Sequence, residues 1–260
     1  MLVRTQTIPH LLRRREGNVE IISLNRPGRR NAMSVAMVNG LIDVLTAIED
    51  DRDVRAVVLA GEGAGFCAGS DLGGLASMDV CGRRAFEAAS GRVARMICQS
   101  SKAILAAVHG FAVGGGLTLA AACDIVLTDI SAKWSLPEVP VGLFPAWGVG
   151  SVVRRAGVTS ARRLAWGIDT LDGRGAQASG LADEVVEGNV VAIACERAQA
   201  LAALPCAQAQ AVKRYFAAYC ADEAADIAAN RLFIEMTGSP EASATFRRFY
   251  PNPDDPPMSE

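Results

Sequence analysis

Residues 103–128 read AILAAVHGFAVGGGLTLAAACDIVLT, and this stretch decides the fold. It is apolar over the length that a membrane-spanning helix needs, but three successive glycines, His109 and Asp124 argue against such a span. It divides better into a strand at 104–108, a helix that begins near Gly114 or Gly115, and a strand at 124–128. This alternation predicts an α/β protein with a buried sheet.

The segments before this stretch show the same alternation of strand and helix. Residues 19–24 and 54–60 are rich in aliphatic side chains and predict strands. Ser34 is a suitable N-cap for a helix whose apolar residues share one face, at positions 35, 38, 41, 42, 45 and 48. A glycine-rich loop is predicted at 61–74, and a helix at 80–99.

The segments after this stretch become mainly helical. One helix is predicted after Pro145, another begins at Thr159 and Ser160, and residues 190–249 are almost wholly helical in pattern. Prolines at 251, 253, 256 and 257 exclude a regular helix and predict a disordered tail. The predicted divisions are therefore a core at 1–190, a helical region at 191–250 and a tail at 251–260.

The composition excludes several classes of partner. The chain has 260 residues, half of them apolar, and a net charge of −2, so neither nucleic acid nor a membrane surface is an expected partner. Its seven cysteines form no CxxC pair, which argues against a zinc site or a disulfide framework. We expect no metal, no signal peptide and a cytoplasmic location.

A series of short motifs resembles the crotonase superfamily, the enoyl-CoA hydratase/isomerase group. They occur in the order and spacing of that family between about residues 19 and 186. The motifs are LNRP at 24–27, NAMS at 31–34, FCAGSDL at 66–72, AAVHGFAVGGG at 106–116, CD at 123–124, PE at 137–138, DGR at 172–174 and ASGLAD at 178–183.

The resemblance implies a fold and a kind of substrate. The fold is a spiral of ββα units with two nearly perpendicular sheets and a C-terminal helical region that packs trimers, often paired into hexamers. The substrate is an acyl-CoA thioester, and no cofactor is needed beyond the CoA that the substrate carries.

An enolate formed from a thioester gathers negative charge on one oxygen, which two main-chain N–H groups can stabilise. The resemblance implies that the amides of Ser70 and Gly115 are these donors. Gly114 belongs to the same loop and lets the backbone approach the ligand. The CoA adenine would meet carbonyl groups around Ala68 and Leu72. Arg29 or Arg30 would approach the phosphates, and Asp71 is expected to organise its own loop.

Glu138 is the candidate proton carrier. Apolar neighbours, Pro137 and Val141 among them, predict a pocket in which the pKa of a carboxyl group rises. In hydratases of the family a second glutamate stands at the position that Thr118 occupies here. A threonine hydroxyl can position water but is no base near neutral pH, so classical hydration is in doubt.

A single carboxyl group is sufficient for a double-bond shift, so the sequence favours an enoyl-CoA isomerase over a hydratase. Atypical hydration, decarboxylation or C–C cleavage, and non-catalytic binding of acyl-CoA are the alternatives. His109 is interpreted as a hydrogen-bonded core residue. Trp147 and Phe144 are expected to shape either the acyl pocket or the core, and Phe233 to line either the pocket or the trimer contact.

Overall fold

The computed structural model describes residues 4–220 and 223–249, which form ten strands and ten α-helices. The strands are β1 (Arg4–Ile8), β2 (Leu11–Glu16), β3 (Val19–Leu24), β4 (Ala56–Gly61), β5 (Ala103–Val108), β6 (Phe111–Val113), β7 (Ile125–Asp129), β8 (Lys133–Ser135), β9 (Thr170–Leu171) and β10 (Glu184–Val186). The helices are α1 (Val35–Asp50), α2 (Leu72–Ala76), α3 (Val80–Gln99), α4 (Gly115–Ala121), α5 (Val149–Ala165), α6 (Gly173–Ala178), α7 (Val190–Ala202), α8 (Cys206–Ala217), α9 (Glu223–Met236) and α10 (Pro240–Phe249).

The larger sheet has seven strands in the order β1-β2-β3-β4-β5-β7-β10. The first three strands pair antiparallel, and the strands from β3 to β10 pair parallel. Every residue of β3 and β4 is buried, as expected for parallel strands that are covered on both faces. The strands predicted at 19–24 and 54–60 are therefore confirmed, with small shifts at their ends.

Alternate residues of β4 face two separate apolar clusters because side chains alternate along a strand. Val57 and Leu59 pack in the cluster that includes α1 and α3. Ala56 and Val58 pack in the second cluster, to which α7 contributes Ala194 and Ala198. Helix α7 thus covers one face of the large sheet, so the division predicted at residue 190 does not correspond to a gap in the packing.

The smaller sheet has three strands in the order β6-β8-β9 and brings three loops together. The main-chain N–H of Val113 in β6 donates to the Cys67 carbonyl at 3.0 Å. The next amide, that of Gly114, donates to the Ser135 carbonyl at 2.9 Å. These bonds hold the loop around residue 68, the start of α4 and the segment after β8 side by side.

Several helices begin and end close to where the sequence predicts. Ser34 caps α1 by accepting from the Met37 amide at 3.2 Å, and α3 has the predicted bounds. The loop predicted at 61–74 is shorter, because α2 begins at Leu72. The two helices predicted after Pro145 form one element, α5, whose helical backbone is broken at Gly157 with φ of 74°.

Some predictions lie beyond these findings. The tail predicted at 251–260 lies outside the described residues. The two sheets are confirmed, whereas their perpendicular arrangement and the trimer contacts stay predictions.

In the described part of the chain, no single helix has the length and apolar character to cross a membrane. Helices α7 and α8 reach that length and composition only as a pair, and they meet at a bend of 109°.

Candidate active site

A cavity of about 100 Å³ lies between the loop before α2, the start of α4 and the segment that follows β8. All but two of the predicted site residues line it. They are Ala68, Ser70, Leu72, Gly114, Gly115, Thr118, Pro137, Glu138 and Val141. Arg29 and Asp71 are the two that do not line the cavity.

The amides of Ser70 and Gly115 are positioned as donors at the cavity wall. Ser70 is held by main-chain bonds on either side of it, from Met33 to the Gly69 carbonyl and from Asp71 to the Met33 carbonyl. Across residues 4–220 and 223–249, neither the Ser70 nor the Gly115 N–H donates to a protein acceptor. Both donors therefore remain available to a ligand oxygen.

The Glu138 carboxyl group lies against the main chain of Gly114. A Cβ atom at Gly114, which has φ of +56°, would stand 2.6 Å from Glu138 Oε1. The backbone of Glu138 begins a 3-10 turn, and its carbonyl accepts from the amides of Val141 and Leu143 at 3.1 and 2.8 Å. This turn fixes the backbone from which the side chain reaches toward Gly114.

Burial raises the pKa of Glu138 from 4.5 to about 7, and a hydrogen bond from its own amide partly offsets that effect. Its Oε2 atom is buried and has no hydrogen-bond partner among the described residues. A carboxyl group with such a pKa exists in both protonation states near neutral pH. It can therefore accept a proton and return it.

Thr118 is buried, and its hydroxyl donates to the Gly115 carbonyl at 3.0 Å. That bond uses the hydroxyl proton within the first turn of α4, while the oxygen can still accept a hydrogen bond. Thr118 contributes shape and one acceptor to the cavity.

Asp71 holds the loop that carries Ser70. Its carboxylate accepts from Arg26 Nη1 at 2.9 Å and from the Gly74 amide at 3.3 Å, which caps α2. Arg29 is exposed, and the neighbouring Arg30 guanidinium stacks 4.5 Å from the Phe111 ring centroid. The structure thus gives Asp71 a place beside the cavity, and a phosphate-binding role for Arg29 stays a prediction.

Glu87, which is not among the predicted site residues, also lines this cavity from α3. Glu87 is only 4% exposed. Burial raises its pKa to about 8, the Trp147 amide partly offsets this rise, and the charge of Glu138 adds to it. Glu138 is therefore not the lone carboxyl group of the site. The sequence signal was an acid within the apolar stripe that includes Phe86 and Val93.

The Trp147 ring lines the cavity and lies against the main chain of Gly115. A Cβ atom at Gly115 would stand 2.5 Å from Trp147 Cζ2, and the indole N–H donates to Ser70 Oγ at 3.5 Å. Phe144 and Phe233 also line the cavity, whereas a part for Phe233 in trimer contacts stays a prediction.

His109 differs from its interpretation as a fully hydrogen-bonded core residue. It is half-buried, with Nε2 3.0 Å from the Gly63 carbonyl oxygen. Its Nδ1 atom is buried and has no partner among the described residues, so that interpretation is wrong. Residues 4–220 and 223–249 contain no group of three or more His, Cys, Asp or Glu side chains suited to a metal ion.

Comparisons with known sequences agree with the resemblance. A family model for enoyl-CoA hydratase/isomerase matches residues 14–249. The short-chain-enoyl-CoA hydratase of Clostridium acetobutylicum is 33% identical over 175 residues, covering 66% of this chain and 67% of that protein. The crotonyl-CoA hydratase of Syntrophomonas wolfei is 31% identical over 180 residues, covering 68% and 69%.

Solved structures resemble the whole fold. An enoyl-CoA hydratase/isomerase from Mycobacterium paratuberculosis superposes with a TM-score of 0.85 at 27% identity, covering 92% of this chain and 98% of that one. Pseudomonas aeruginosa AtuE gives a TM-score of 0.76 at 35% identity, covering 90% and 93%. The predicted fold class is confirmed by these similarities.

Proposed function

Since the chain belongs to the enoyl-CoA hydratase/isomerase family, we propose that it converts an acyl-CoA thioester through an enolate. The Ser70 and Gly115 amides hold the enolate oxygen, and Glu138 carries the proton. One observation carries this proposal. Around a single cavity lie the Ser70 and Gly115 N–H groups, which donate to no acceptor among the described residues, and the buried Oε2 atom of Glu138, which has no hydrogen-bond partner there.

Negative charge develops on the thioester oxygen during the proposed reaction. A preorganised donor at an oxyanion is worth about 3–4 kcal/mol of transition-state stabilisation, because it needs no reorganisation in a water-poor site. The cavity wall is mostly apolar, and Leu75, Val141 and Phe144 are among the residues that line it. Such surroundings strengthen both the donor interactions and the basicity of Glu138.

Two reactions share this enolate, a double-bond shift and the addition of water. The absence of an acid at position 118 favours the shift, as the sequence predicts. The relatives described above carry hydratase names, which do not support that preference, and Glu87 supplies a second carboxyl group to the cavity. The shift stays a candidate, and no cofactor beyond the CoA of the substrate belongs to the proposal.

Proton exchange tests the proposal without assuming the final product. In deuterated buffer, we expect the enzyme to incorporate deuterium at the α- or γ-carbon of crotonyl-CoA, measured by mass spectrometry. Glu138→Gln should slow this exchange about 100-fold or more, because a positioned general base typically contributes 10²–10⁴-fold. Glu196→Gln, an exposed substitution on α7, is the matched control.

The pH dependence of exchange gives an independent check. The reactive form of Glu138 is the carboxylate, and burial holds its pKa at about 7. Exchange should therefore rise about tenfold per pH unit up to this value and then level off. Binding of crotonyl-CoA with no exchange in either protein would identify a non-catalytic binder instead, and equal exchange by Glu138→Gln would exclude the role of Glu138.

A further inference from the structure

We infer that Glu87 is a second catalytic acid, which protonates the α-carbon of an enoyl thioester while Glu138 activates the water that adds to the β-carbon. This inference rests on the proposed function of the same cavity. Glu87 on α3 would take the role of the second acid, for which position 118 has only a threonine.

The position of Glu87 is unusual for a structural carboxylate. It is buried on the inner side of α3 and lines the cavity together with Glu138. A buried carboxylate is normally paired with a cation. The cations of α3 do not pair with it: Arg84 and Arg92 are exposed. Arg83 donates to the Leu75 carbonyl at 2.9 Å, and Arg95 pairs with Asp226 on α9.

The surroundings separate the two carboxyl groups into an acid and a base. Within the described residues, the charge that acts on Glu87 is that of Glu138, and no cation lowers the pKa of Glu87. Its pKa of about 8 lies above the value of about 7 for Glu138. Burial acts on both groups and the charge of Glu138 raises the pKa of Glu87 further, so Glu87 keeps its proton to a higher pH than Glu138 does. Environments that push two pKa values apart mark acid and base roles.

The cavity also has a place for the water. Oε2 of Glu138 is buried and without a partner among the described residues. A volume of about 100 Å³ holds several times the roughly 10–15 Å³ that one water molecule requires. A water bound there would donate one hydrogen bond to Oε2 of the Glu138 carboxylate and the other to the Thr118 hydroxyl oxygen, whose own proton is used at the Gly115 carbonyl.

The proton transfers balance. Glu138 takes a proton from water as the oxygen bonds to the β-carbon, and the π electrons move onto the thioester oxygen, where the Ser70 and Gly115 amides stabilise them. The enolate then collapses and its α-carbon takes the proton of Glu87. Transfer of the proton from Glu138 to Glu87 restores the starting site, with water as the one added molecule.

Steady-state hydration of crotonyl-CoA, followed by the loss of enoyl thioester absorbance, tests the inference. We expect Glu87→Gln to lower kcat about 100-fold while KM changes less than about threefold, since the amide keeps the shape but has no transferable proton. The kcat/KM of the unaltered protein should fall above about pH 8, where Glu87 loses its proton. Glu196→Gln is again the matched control.

The outcomes separate the two ideas. If Glu138-dependent exchange occurs but Glu87→Gln hydrates at the normal rate, or the unaltered protein does not hydrate crotonyl-CoA, the inference fails and the proposed function stands. If the unaltered protein shows no deuterium exchange at all, both the proposed function and the inference about Glu87 fail. Should Glu87→Gln not fold, the pH profile of the unaltered protein decides, because a rate that stays level above pH 8 contradicts an acid at position 87.

Discussion

Gly114 determines where the Glu138 carboxyl group can lie. Its φ of +56° is a left-handed backbone conformation that side chains disfavour. The absence of a Cβ atom leaves the space that Oε1 of Glu138 occupies. Gly114 thus permits both the turn into α4 and the close approach of the Glu138 carboxyl group to the main chain.

Gly114→Ala should therefore damage catalysis more than stability. The new methyl group would stand 2.6 Å from Oε1 and push the carboxyl group away, and a displacement of about 1 Å can cost 100-fold in rate. The left-handed backbone adds about 1–3 kcal/mol of strain. Deuterium exchange into crotonyl-CoA measures the first effect and thermal unfolding the second.

Gly188→Ala is the matched control for Gly114→Ala. Gly188 also has positive φ, +90°, but a Cβ atom there would meet nothing within 4 Å. Gly188→Ala should lower the thermal stability through backbone strain but retain normal deuterium exchange. If both variants exchange deuterium at the normal rate, Gly114 does not position Glu138.

The sequence predicted those site residues that act through the main chain. The loops around Ser70 and Gly115 carry glycines in a recognisable order, because close backbone approach restricts which residues fit. Glu87 was not predictable in this way. Its role depends on which turn of α3 faces the cavity, a matter of packing between distant segments that leaves no local motif.

At the level of elements, α3 carries an ionisable group on its packed face. The pKa of Glu87 is raised from 4.5 to about 8, so the folded protein binds this proton more tightly than the unfolded chain does. Between pH 4.5 and about pH 8 the folded state binds more protons than the unfolded chain does. The free energy of unfolding therefore decreases as pH rises through this range. Glu138 adds to the same trend through its pKa of about 7.

Thermal unfolding should show this linkage. We expect the Tm of the unaltered protein to fall by several degrees between pH 6 and pH 9, and Glu87→Gln to reduce the fall, because an amide has no proton to lose. Calorimetry at several pH values measures both. Parallel curves for the two proteins would show that Glu87 has an ordinary pKa in the folded state.

The strands of the buried sheet were predictable and the N-terminal hairpin was not. Strands β3 and β4 are covered on both faces and consist mainly of aliphatic residues. Strand β2, in contrast, carries three arginines, and Arg13 and Arg15 pair with Glu20 on β3. Ion pairs between strands form only after the strands meet, so the sequence of β2 alone gives a weak β pattern.

At the level of the whole molecule, the C-terminal helices expose a large apolar surface. No residue of α8 is buried. Val212, Tyr215, Phe216 and Tyr219 are each more than half exposed, and the three rings contact one another. Contiguous exposed apolar surface on a folded chain usually marks a contact with another chain. It lies in the region that the resemblance assigns to trimer packing.

We therefore expect the protein to sediment and scatter light as a trimer or hexamer of its 27.2 kDa chain. Tyr215→Arg combined with Tyr219→Arg should shift it to smaller species without loss of helical content, because paired charges on this surface oppose its burial. Val158→Arg, on an exposed part of α5, is the matched control. Light scattering after size exclusion measures the mass, and circular dichroism monitors the fold. A stable, fully active monomer in the unaltered protein would show that the apolar surface of α8 serves another purpose.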